Sequence, residues 1–477
     1  MLLSKLFERI NVKNSYADKD FLSLSDDSRK IGPGDVFVCI RGARFDAHDY
    51  AAAVLEKGAA AVVVERDLGL PDQILVENTR EAYSHMCAAF FGHPAEKLKL
   101  VGITGTNGKT TTAFLMKGML DAFGKKTGLL GTVKYVIGEE EIEAGNTTPE
   151  AFEIQELFAK MAAAGCEYCV MEVSSQALAQ YRVAGLRFAA AVFTNLTQDH
   201  LDYHGSFENY VQAKAMLFQQ AGLAVMNADD AYWQLLLANT SCRVVSYSKE
   251  KDEASYTAKN IRLSSAFTEY ELVGNGIIGR VHIGIPGEFS VYNSMAALIA
   301  MAELGFDFHE ARKALSTVKG VKGRIEVVPT DTPYTVIIDY AHTPDALENI
   351  LSTLRKIAEG RVISVFGCGG DRDKTKRPIM GEIGARLADY LVVTSDNPRT
   401  ENAQQILEDI KAGIPKGTKT PVFYEVDRTK GISHALHEAK KGDIVLLAGK
   451  GHETYQILGT QKIHYDEREI INEILKN

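Results

Sequence analysis

The sequence predicts a mixed α/β protein in which parallel sheets alternate with crossover helices. Short apolar strands recur along the chain, helical patterns separate them, and several strands end in loops rich in glycine and polar residues. This alternation is typical of parallel sheets, whose strands are joined by helices. At 477 residues the chain is too long for a single core, and usual domain sizes suggest about three domains.

Three blocks with different strand patterns divide the chain. Their predicted bounds are 1–97, 98–326 and 327–477. The first block closes with a helix predicted over 80–91, because Gly92-His93-Pro94 would end it. In the second block, strands are predicted over 98–103, 168–173 and 189–193. In the third block, strands are predicted over 334–338, 362–366, 390–393 and 444–447.

Composition and charge exclude several classes of protein. Apolar residues make up 45% of the chain and charged residues 24%, as in ordinary globular proteins. The net charge of -9 lacks the basic excess of a nucleic-acid binder. No apolar run is long enough to span a bilayer, and the first ten residues fit a short amphipathic helix better than a signal peptide. We therefore expect a cytoplasmic protein that binds no nucleic acid and does not insert into a membrane.

The strongest functional signal is a glycine-rich loop between a predicted strand and a predicted helix. The loop consists of Thr104, Gly105, Thr106, Asn107, Gly108, Lys109 and Thr110. A loop in this position aims backbone N–H groups and a helix N-terminus at one point, which favours phosphate binding. Lys109 would contact the β- and γ-phosphates of ATP, and Thr110 would offer a hydroxyl to Mg²⁺. The general consensus is met imperfectly, since Ile103 stands at its first glycine; a plain glycine turn is the alternative.

Polar residues that suit a metal ion follow the next strands of the second block. Glu172 ends one apolar strand, and His200 lies in the polar segment after the following strand. Carboxylate and imidazole groups at neighbouring strand ends, together with Thr110, suit Mg²⁺ beside ATP phosphates. A loop hydrogen bond is the alternative for any one of them taken alone.

Lys214 lies on the apolar face of a predicted helix that begins after Ser206. Phe207, Tyr210 and Leu217 share that face at helical spacings. A lysine there is unfavourable unless it is paired, or extends its amine to solvent. The sequence alone slightly favours extension to solvent; the alternative is an amine that is modified or bound to a neighbouring anion.

The third block carries charged residues in the loops that follow its strands. Arg372 and Arg399 can each bind a carboxylate with two hydrogen bonds, and Asp396 and Glu453 can bind an ammonium group. Ligands of open α/β sheets bind outside the carboxyl ends of strands, where these loops would converge. Two cationic and two anionic groups suit an amino acid, and an amino acid beside ATP suggests amide-bond formation.

Together these motifs resemble the Mur ligase family over essentially the full chain. The motifs are Thr104-Gly-Thr-Asn-Gly-Lys-Thr110, Glu172-Val-Ser-Ser, Asn195-x-x-x-Asp-His200-x-Asp202, Tyr210-x-x-Ala-Lys214, Tyr292-Asn293, Gly323-Arg324, Asp339-Tyr-Ala-His342-Thr-Pro, Gly367-Cys-Gly-Gly-Asp-Arg-Asp-Lys, Asp396-Asn-Pro-Arg399 and Gly449-Lys-Gly-His-Glu453. The family's own glycine loop has this form, which explains the misfit at Ile103. The last three motifs resemble those of the members that add 2,6-diaminopimelate.

The resemblance implies an N-terminal UDP-substrate domain, a central ATPase domain and a C-terminal Rossmann-like domain that receives an amino acid. It assigns UDP-substrate contacts to Ser28, Asn146, Thr147, Thr148, Ser174, Gln180 and Arg182. It adds nucleotide contacts at Asn293, Arg324 and Asp339. Amino-acid contacts fall on Arg372, Asp396, Asn397, Pro398, Arg399, Gly449 and Glu453. Lys214 matches the lysine that this family carries as an N6-carbamate facing Mg²⁺, and the catalytic set becomes Lys109, Glu172, His200 and Lys214.

The implied reaction adds meso-2,6-diaminopimelate to UDP-N-acetylmuramoyl-L-alanyl-D-glutamate, through an acyl phosphate, in peptidoglycan synthesis. Asn397 and Arg399 favour diaminopimelate over L-lysine, since lysine-adding members usually lack that pair. A monomer is expected. The alternatives are the lysine-adding ligase, a ligase similar to folylpolyglutamate synthase, and a nucleotide-binding protein without catalysis. The combination of Lys109, Glu172, His200 and Lys214 argues against the last of these.

Overall fold

The structure is a computed structural model that describes residues 1–42, 45–197, 201–238, 240–318 and 320–476, without the side chains of Leu201 and Asp202. The chain divides into two compact units. Unit 1 comprises Met1–Tyr247 and Ile299–Gly305, and unit 2 comprises Ser248–Leu298 and Phe306–Asn477. This division differs from the three predicted blocks, whose bounds stay a prediction.

Unit 1 begins with a small parallel sheet in the order β1-β2-β3-β4. Its strands are β1 (Leu24–Ser25), β2 (Val36–Val38), β3 (Ala61–Val64) and β4 (Gln73–Leu75), and its helices are α1 (Leu3–Leu6), α2 (Ala51–Glu56) and α3 (Thr79–Phe90). Every residue of β2 and β3 is buried, as in parallel sheets covered on both faces. Asn78 caps α3 by accepting from the N–H groups of Arg80 and Glu81, so the helix begins one residue earlier than predicted.

The main sheet of unit 1 runs in the order β12-β11-β10-β5-β9-β6-β7-β8. Its strands are β5 (Lys99–Thr104), β6 (Thr127–Leu130), β7 (Lys134–Ile137), β8 (Glu140–Glu143), β9 (Tyr168–Glu172), β10 (Phe188–Phe193), β11 (Leu223–Asn227) and β12 (Arg243–Ser248). The helices are α4 (Lys109–Ala122), α5 (Ala151–Ala163), α6 (Ser175–Ala179), α7 (Leu201–His204) and α8 (Phe207–Gln219). From β12 to β6 all neighbours are parallel. The loops after β10, β5 and β9 therefore meet at one edge of the sheet.

Unit 2 contains three antiparallel strands, a mostly parallel sheet and a hairpin. The antiparallel strands are β13 (Tyr256–Leu263), β14 (Thr268–Gly274) and β15 (Ile277–Ile283). The second sheet has the order β16-β17-β21-β18-β19-β20, with β16 (Glu326–Val328), β17 (Thr335–Asp339), β18 (Val362–Phe366), β19 (Tyr390–Val393), β20 (Val422–Tyr424) and β21 (Ile444–Ala448). Only β16 pairs antiparallel in it. The hairpin joins β22 (Tyr455–Leu458) to β23 (Gln461–His464).

Helices connect the parallel strands of unit 2, as expected for parallel pairs. From residue 288 onward the α-helices are α9 (Glu288–Glu303), which ends in unit 1, α10 (Phe308–Thr317), α11 (Pro344–Ile357), α12 (Lys376–Leu387), α13 (Ala403–Lys411), α14 (Arg428–Glu438) and α15 (Glu467–Lys476). The predicted fold class, mixed α/β with parallel sheets, is confirmed. Within the described part of the chain, no helix is both long enough and apolar enough to cross a membrane.

Candidate active site

The glycine-rich loop of unit 1 joins β5 to α4 and is held by the loop that follows β10. The Thr106 N–H donates to the backbone oxygen of Asn195, and the Asn107 N–H donates to Asn195 Oδ1, both at 2.9 Å. Thr194 Oγ1 donates to the Asn107 oxygen at 2.6 Å. Gly105 has a φ of +150°, and a Cβ atom there would collide with the Thr194 hydroxyl. Only glycine fits this position, so the backbone itself sets the shape of the loop.

Lys109 is the first residue of α4, and its amine folds back over the loop. Its Nζ donates to the backbone oxygens of Gly105 and Thr106, each at 2.9 Å. Gly108, in the left-handed region at φ +85°, precedes the helix. An ammonium group and the N-terminus of a long helix thus lie at the same loop, which is an arrangement that attracts phosphate.

Glu172 and Thr110 are brought together at the ends of β9 and α4. Glu172 is fully buried, and its Oε2 accepts from the hydroxyls of Thr110 at 2.9 Å and Thr132 at 3.0 Å. Its Oε1 accepts from the Thr132 N–H at 2.9 Å. The sequence predicted the first pair but missed Thr132, because only the adjacency of β9 and β6 brings that residue here.

Lys214 of α8 lies against the same loop. It is 2% exposed, and its Nζ donates to the Gly105 oxygen at 3.1 Å and lies 4.7 Å from the Tyr210 ring centroid. Extension of this amine to solvent, which the sequence slightly favoured, is therefore wrong. The helix carries the amine inward because its apolar face packs into the core. Tyr210 also hydrogen-bonds Thr106 Oγ1 at 3.0 Å.

A polar cleft of about 310 Å³ lies beside Glu172 in unit 1. It is lined by Asn146, Thr147, Thr148, Ser174, Gln176, Gln180, Arg182 and Tyr203. Thr148 Oγ1 donates to the Glu172 backbone oxygen at 2.8 Å and accepts from the Ser174 N–H at 3.0 Å. Arg182 donates to Gln180 Oε1 at 2.7 and 3.0 Å and to the Thr148 oxygen at 2.9 Å. The six residues predicted as central-domain substrate contacts all line this one cleft.

One predicted residue of unit 1, Ser28, is not part of these clusters. Ser28 lies in a turn after β1 and is partly exposed. His200 lies outside the described residues.

In unit 2 a hydrogen-bonded cluster joins the loops after β19 and β21. Asn397 Oδ1 accepts from the Ile457 N–H at 3.0 Å and from Lys450 Nζ at 3.2 Å. Asn397 Nδ2 donates to Glu453 Oε2 at 2.9 Å, and Lys450 Nζ reaches the same oxygen at 3.1 Å. Lys450 is fully buried. Asn397 and Glu453 were predicted to bind an amino acid, and the fold brings them into direct contact.

The other predicted residues of these loops differ in their surroundings. Arg399 has a φ of +51°, and its guanidinium donates to the Gly370 oxygen at 2.7 Å. Asp396 and Pro398 are buried, and a Cβ atom at Gly449 would lie 2.6 Å from Asp396 Oδ2. Arg372 is exposed, and its guanidinium donates to the backbone oxygen of its neighbour Asp371 at 3.1 Å. Arg399 and Asp396 thus belong to the packed loop cluster, whereas Arg372 lies at its surface.

Arg428 of α14 hydrogen-bonds the backbone just after β19 and at the end of β21. It is buried, pairs with buried Glu467 at 2.7 Å, and donates to the backbone oxygens of Ser395 at 3.1 Å and Ala448 at 2.9 Å. Ser395 and Ala448 immediately precede Asp396 and Gly449. Sequence reasoning missed Arg428, because nothing in its helix distinguishes it from a surface arginine.

Arg377 of α12 likewise hydrogen-bonds the loop after β18. Its buried guanidinium bonds Glu401 at 2.9 Å, Asp409 at 2.8 Å and the Gly369 oxygen at 3.3 Å. These bonds hold the pKa of Glu401 at about 2, well below its ordinary value. Glu401 in turn accepts from the Asp371 N–H at 2.6 Å. The ion pairs of a buried arginine therefore fix this loop from outside the predicted motifs.

Three predicted nucleotide contacts also lie in unit 2. Asp339 ends β17, and its two oxygens accept from the N–H groups of Ile325 and Ala341, both at 2.8 Å. Burial raises the pKa of the Asp339 carboxyl, while the Arg324 guanidinium opposes that rise. Arg324 lies 5.0 Å from the Tyr340 ring centroid. Asn293 is buried in α9.

Comparison with known proteins identifies the family. Sequence profiles described as "Mur ligase family, catalytic domain", "Mur ligase middle domain" and "Mur ligase, glutamate ligase domain" match residues 23–90, 103–301 and 323–451. The chain is 45% identical over 460 residues to UDP-N-acetylmuramoyl-L-alanyl-D-glutamate–2,6-diaminopimelate ligase 1 of Clostridium acetobutylicum, covering 95% of this chain and 94% of that one. The chain belongs to the Mur ligase family.

Further relatives agree with this membership. The ligase of the same name from Bacillus velezensis is 44% identical, over 96% of this chain and 95% of its own. A solved structure of a protein with that name superposes with a TM-score of 0.77 at 32% identity, covering 100% of this chain and 99% of its own. The predicted family and the predicted enzyme class, an ATP-dependent amide ligase, are confirmed. The roles of individual residues in this Mur ligase stay predictions.

Proposed function

We propose that this ligase joins meso-2,6-diaminopimelate to the D-glutamyl carboxylate of UDP-N-acetylmuramoyl-L-alanyl-D-glutamate, with conversion of ATP to ADP and phosphate. The relatives named above carry this substrate pair in their names. The observation that carries the choice of amino acid is the cluster of Asn397, Arg399 and Glu453 in the loops that follow β19 and β21 of unit 2. The product would be a peptidoglycan precursor, and the cytoplasm, where ATP is available, is the proposed location of the reaction.

The glycine loop is the proposed binding site for the ATP phosphates. Backbone N–H groups, the start of α4 and the Lys109 ammonium lie at this loop, and all three favour polyanions. The Lys109 amine now donates to two carbonyl oxygens of its own loop. A phosphate oxygen would replace those acceptors with a charged one, which forms stronger hydrogen bonds. Asn293, Arg324 and Asp339 are the proposed contacts for the rest of the nucleotide.

The polar cleft beside Glu172 is the proposed site of the UDP-linked dipeptide. Its side chains are amides, hydroxyls and one guanidinium, which suit the carboxylates and amide groups of a peptide. Thr148 connects the cleft to the backbone of Glu172 at 2.8 Å. The acceptor carboxylate would therefore lie near the loop that holds the γ-phosphate. Ser28 is the proposed contact of the nucleotide-sugar portion.

Mg²⁺ is the metal that the family resemblance implies, and the donors present fit it. The Thr110 and Thr132 hydroxyls lie 2.9 and 3.0 Å from Glu172 Oε2, and all three groups offer oxygen donors. Among the described residues no group of three His, Cys, Asp or Glu side chains could hold a metal alone. A site with one carboxylate and two hydroxyls suits Mg²⁺, which keeps several waters and binds one or two carboxylates plus substrate phosphates. When bound, the ion would neutralise charge on the phosphates.

The reaction would proceed in two displacements. An oxygen of the D-glutamyl carboxylate attacks the γ-phosphorus of ATP, the bond to ADP breaks, and an acyl phosphate forms. Lys109 would stabilise the negative charge on the transferred phosphoryl group. The amine of diaminopimelate then attacks the acyl carbon; a C–N bond forms, phosphate leaves, and the nitrogen loses a proton. Glu453 and Asp396 would orient the ammonium groups, and Arg399 the second carboxylate of the amino acid.

An assay of ADP release tests the proposal directly. Purified protein is given ATP, Mg²⁺ and the UDP-linked dipeptide, with either meso-diaminopimelate or L-lysine. We expect ADP release and a new amide product, detected by mass, with diaminopimelate and far less with lysine. Activity with lysine alone would overturn the choice of amino acid, and ATP hydrolysis independent of either substrate would overturn the ligation.

A further inference from the structure

Lys450 is a fully buried lysine that no predicted role explains. It follows Gly449 in the loop after β21 and is 0% exposed. Its Nζ donates to Asn397 Oδ1 at 3.2 Å and Glu453 Oε2 at 3.1 Å, and lies 5.7 Å from the ring centroids of Tyr455 and Tyr465. A buried ammonium group is unfavourable unless such partners satisfy it. Asn397 and Glu453 are these partners, so the hydrogen bonds of Lys450 also bear on the orientation of both side chains.

The Asn397 amide has two possible orientations, and its neighbours select one. Oδ1 accepts from two donors, the Ile457 N–H at 3.0 Å and the Lys450 ammonium. Nδ2 donates to the Glu453 carboxylate at 2.9 Å. A flipped amide would put an NH₂ group against both donors and an oxygen against a carboxylate. Every hydrogen bond of the cluster therefore opposes the flip.

We propose that Lys450 is a positioning residue that fixes the orientation of Asn397 and Glu453 for the incoming amino acid. With the amide fixed, Asn397 keeps its second N–H to donate to a carboxylate. With one Glu453 oxygen bonded to Lys450 and Asn397, the other accepts from an ammonium group. The cluster thus presents one donor and one acceptor side by side, which is the pattern of an amino-acid zwitterion. This inference rests on the proposed function, since it assumes that the amino acid binds at this cluster.

Lys450→Met tests this role, because methionine keeps the length and the apolar stem and removes the charge and the donors. We expect KM for diaminopimelate to rise about tenfold or more, with KM for ATP and for the UDP-linked dipeptide within about twofold of wild type. Lys450→Arg keeps a charged donor and should recover part of the loss. The matched control is Lys462→Met: Lys462 is exposed and lies over the same Tyr455 ring, at 3.9 Å from its centroid. It should leave all three KM values unchanged.

Two further measurements separate positioning from general loss of structure. In the double variant Lys450→Met/Glu453→Gln, the two effects should not add, because Lys450 acts through Glu453. A crystal structure of Lys450→Met should show the Asn397 side chain moved away from Ile457 or Glu453. An unchanged Asn397 in that structure, equal increases in all three KM values, or fully additive effects would overturn the proposal.

The crystal structure also separates this inference from the proposed function. Wild-type protein that ligates no diaminopimelate would contradict the proposed function. The movement of Asn397 in Lys450→Met would still decide whether Lys450 sets its orientation. If the wild-type protein uses another amino acid, the KM comparison is made with that amino acid and keeps its meaning.

Discussion

The glycine loop of unit 1 and the strand-end loops of unit 2 are both held in shape by contacts within the protein, but by different means. The glycine loop depends on backbone geometry: a left-handed glycine, a helix start, and hydrogen bonds from the adjacent Thr194 and Asn195. The loops of unit 2 depend on buried charges, contributed by Arg377, Arg428 and Lys450. A phosphate site can be built from backbone N–H groups, whereas a zwitterion site needs side chains of both signs held at fixed positions.

This difference has an energetic consequence. Changing one side chain leaves most backbone hydrogen bonds of a loop in place. A substitution in the glycine loop should therefore lower activity with little change in stability. A buried ion pair that loses one partner leaves an uncompensated charge in the interior. A substitution in the buried ion pairs of unit 2 should therefore lower stability as well as activity. Substitutions in the two regions can test the contrast.

The largest expected effect is on the stability of unit 2. Arg428→Met leaves the Glu467 carboxylate buried without its partner and removes the bonds to the Ser395 and Ala448 oxygens. We expect unit 2 to lose roughly 3–5 kcal/mol of unfolding free energy. Hydrogen–deuterium exchange, resolved by peptide, should show faster exchange in unit 2 and little change in unit 1.

The control for Arg428 is Arg386→Ala. Arg386 also bonds two carboxylates, Glu382 and Glu348, both at 2.9 Å, but its side chain is 46% exposed. Exposed pairs contribute about 1 kcal/mol or less. Equal losses in the two variants would break the distinction between buried and exposed ion pairs on which the contrast depends.

Lys109→Ala should show the opposite pattern in unit 1. Removing the ammonium from the glycine loop should lower kcat/KM by about 10²- to 10³-fold, since it removes charge stabilisation of the transferred phosphoryl group. The backbone bonds to Asn195 remain, so the thermal unfolding temperature should change little. Lys117→Ala, on the same helix and paired with Asp121 at 2.6 Å, is the control and should keep near-normal activity. A large loss of stability in Lys109→Ala would contradict a backbone-built loop.

The contrast also explains how far the sequence could predict each site. The position of the glycine loop between a strand and a helix was predicted, because contiguous residues encode it. Its hydrogen bonds with Thr194 and Asn195 were not predicted, because they depend on the adjacency of β5 and β10. Thr132 was missed, since it reaches Glu172 only through the order of β9 and β6. Arg377 and Arg428 were missed for a related reason. Their helices carry no motif, and their burial follows from tertiary packing that one sequence does not display.

Lys214 lies between the two cases, because it was predicted by motif but its environment was predicted wrongly. Its amine reaches the Gly105 oxygen at 3.1 Å, inside the glycine-loop cluster. A carbamate forms when the ammonium loses one proton and the neutral amine attacks CO₂; the nitrogen then loses a second proton, so a carboxylate replaces a cation. Such a group retains one N–H for the Gly105 oxygen and adds oxygen donors suited to Mg²⁺.

Lys214→Ala tests the carbamate. We expect kcat to fall by about 10²-fold, the cost of one well-placed charged group, and to recover partly with acetate or formate, which can supply the missing carboxylate. The fold should be kept, since the change removes a buried charge. The same acids given to Lys109→Ala are the control and should restore nothing. Rescue by small amines in place of small acids would show that the unmodified ammonium is the active form.

The smallest expected effect concerns the pH dependence of an ion pair in unit 2. The pKa of Glu401 lies at about 2, below its ordinary value of 4.5, because its carboxylate bonds Arg377. A lowered folded-state pKa stabilises the protein fully above about pH 4.5, and this stabilisation disappears as pH falls toward 2. Glu401→Gln cannot titrate, so the difference in unfolding temperature between wild type and this variant should be largest near neutrality and shrink through that window. Glu408→Gln, at a 48% exposed carboxylate, is the control and should change the unfolding temperature far less, because exposed ion pairs contribute little. A difference that stays constant from pH 7 to pH 3 would mean that this ion pair does not hold the loop.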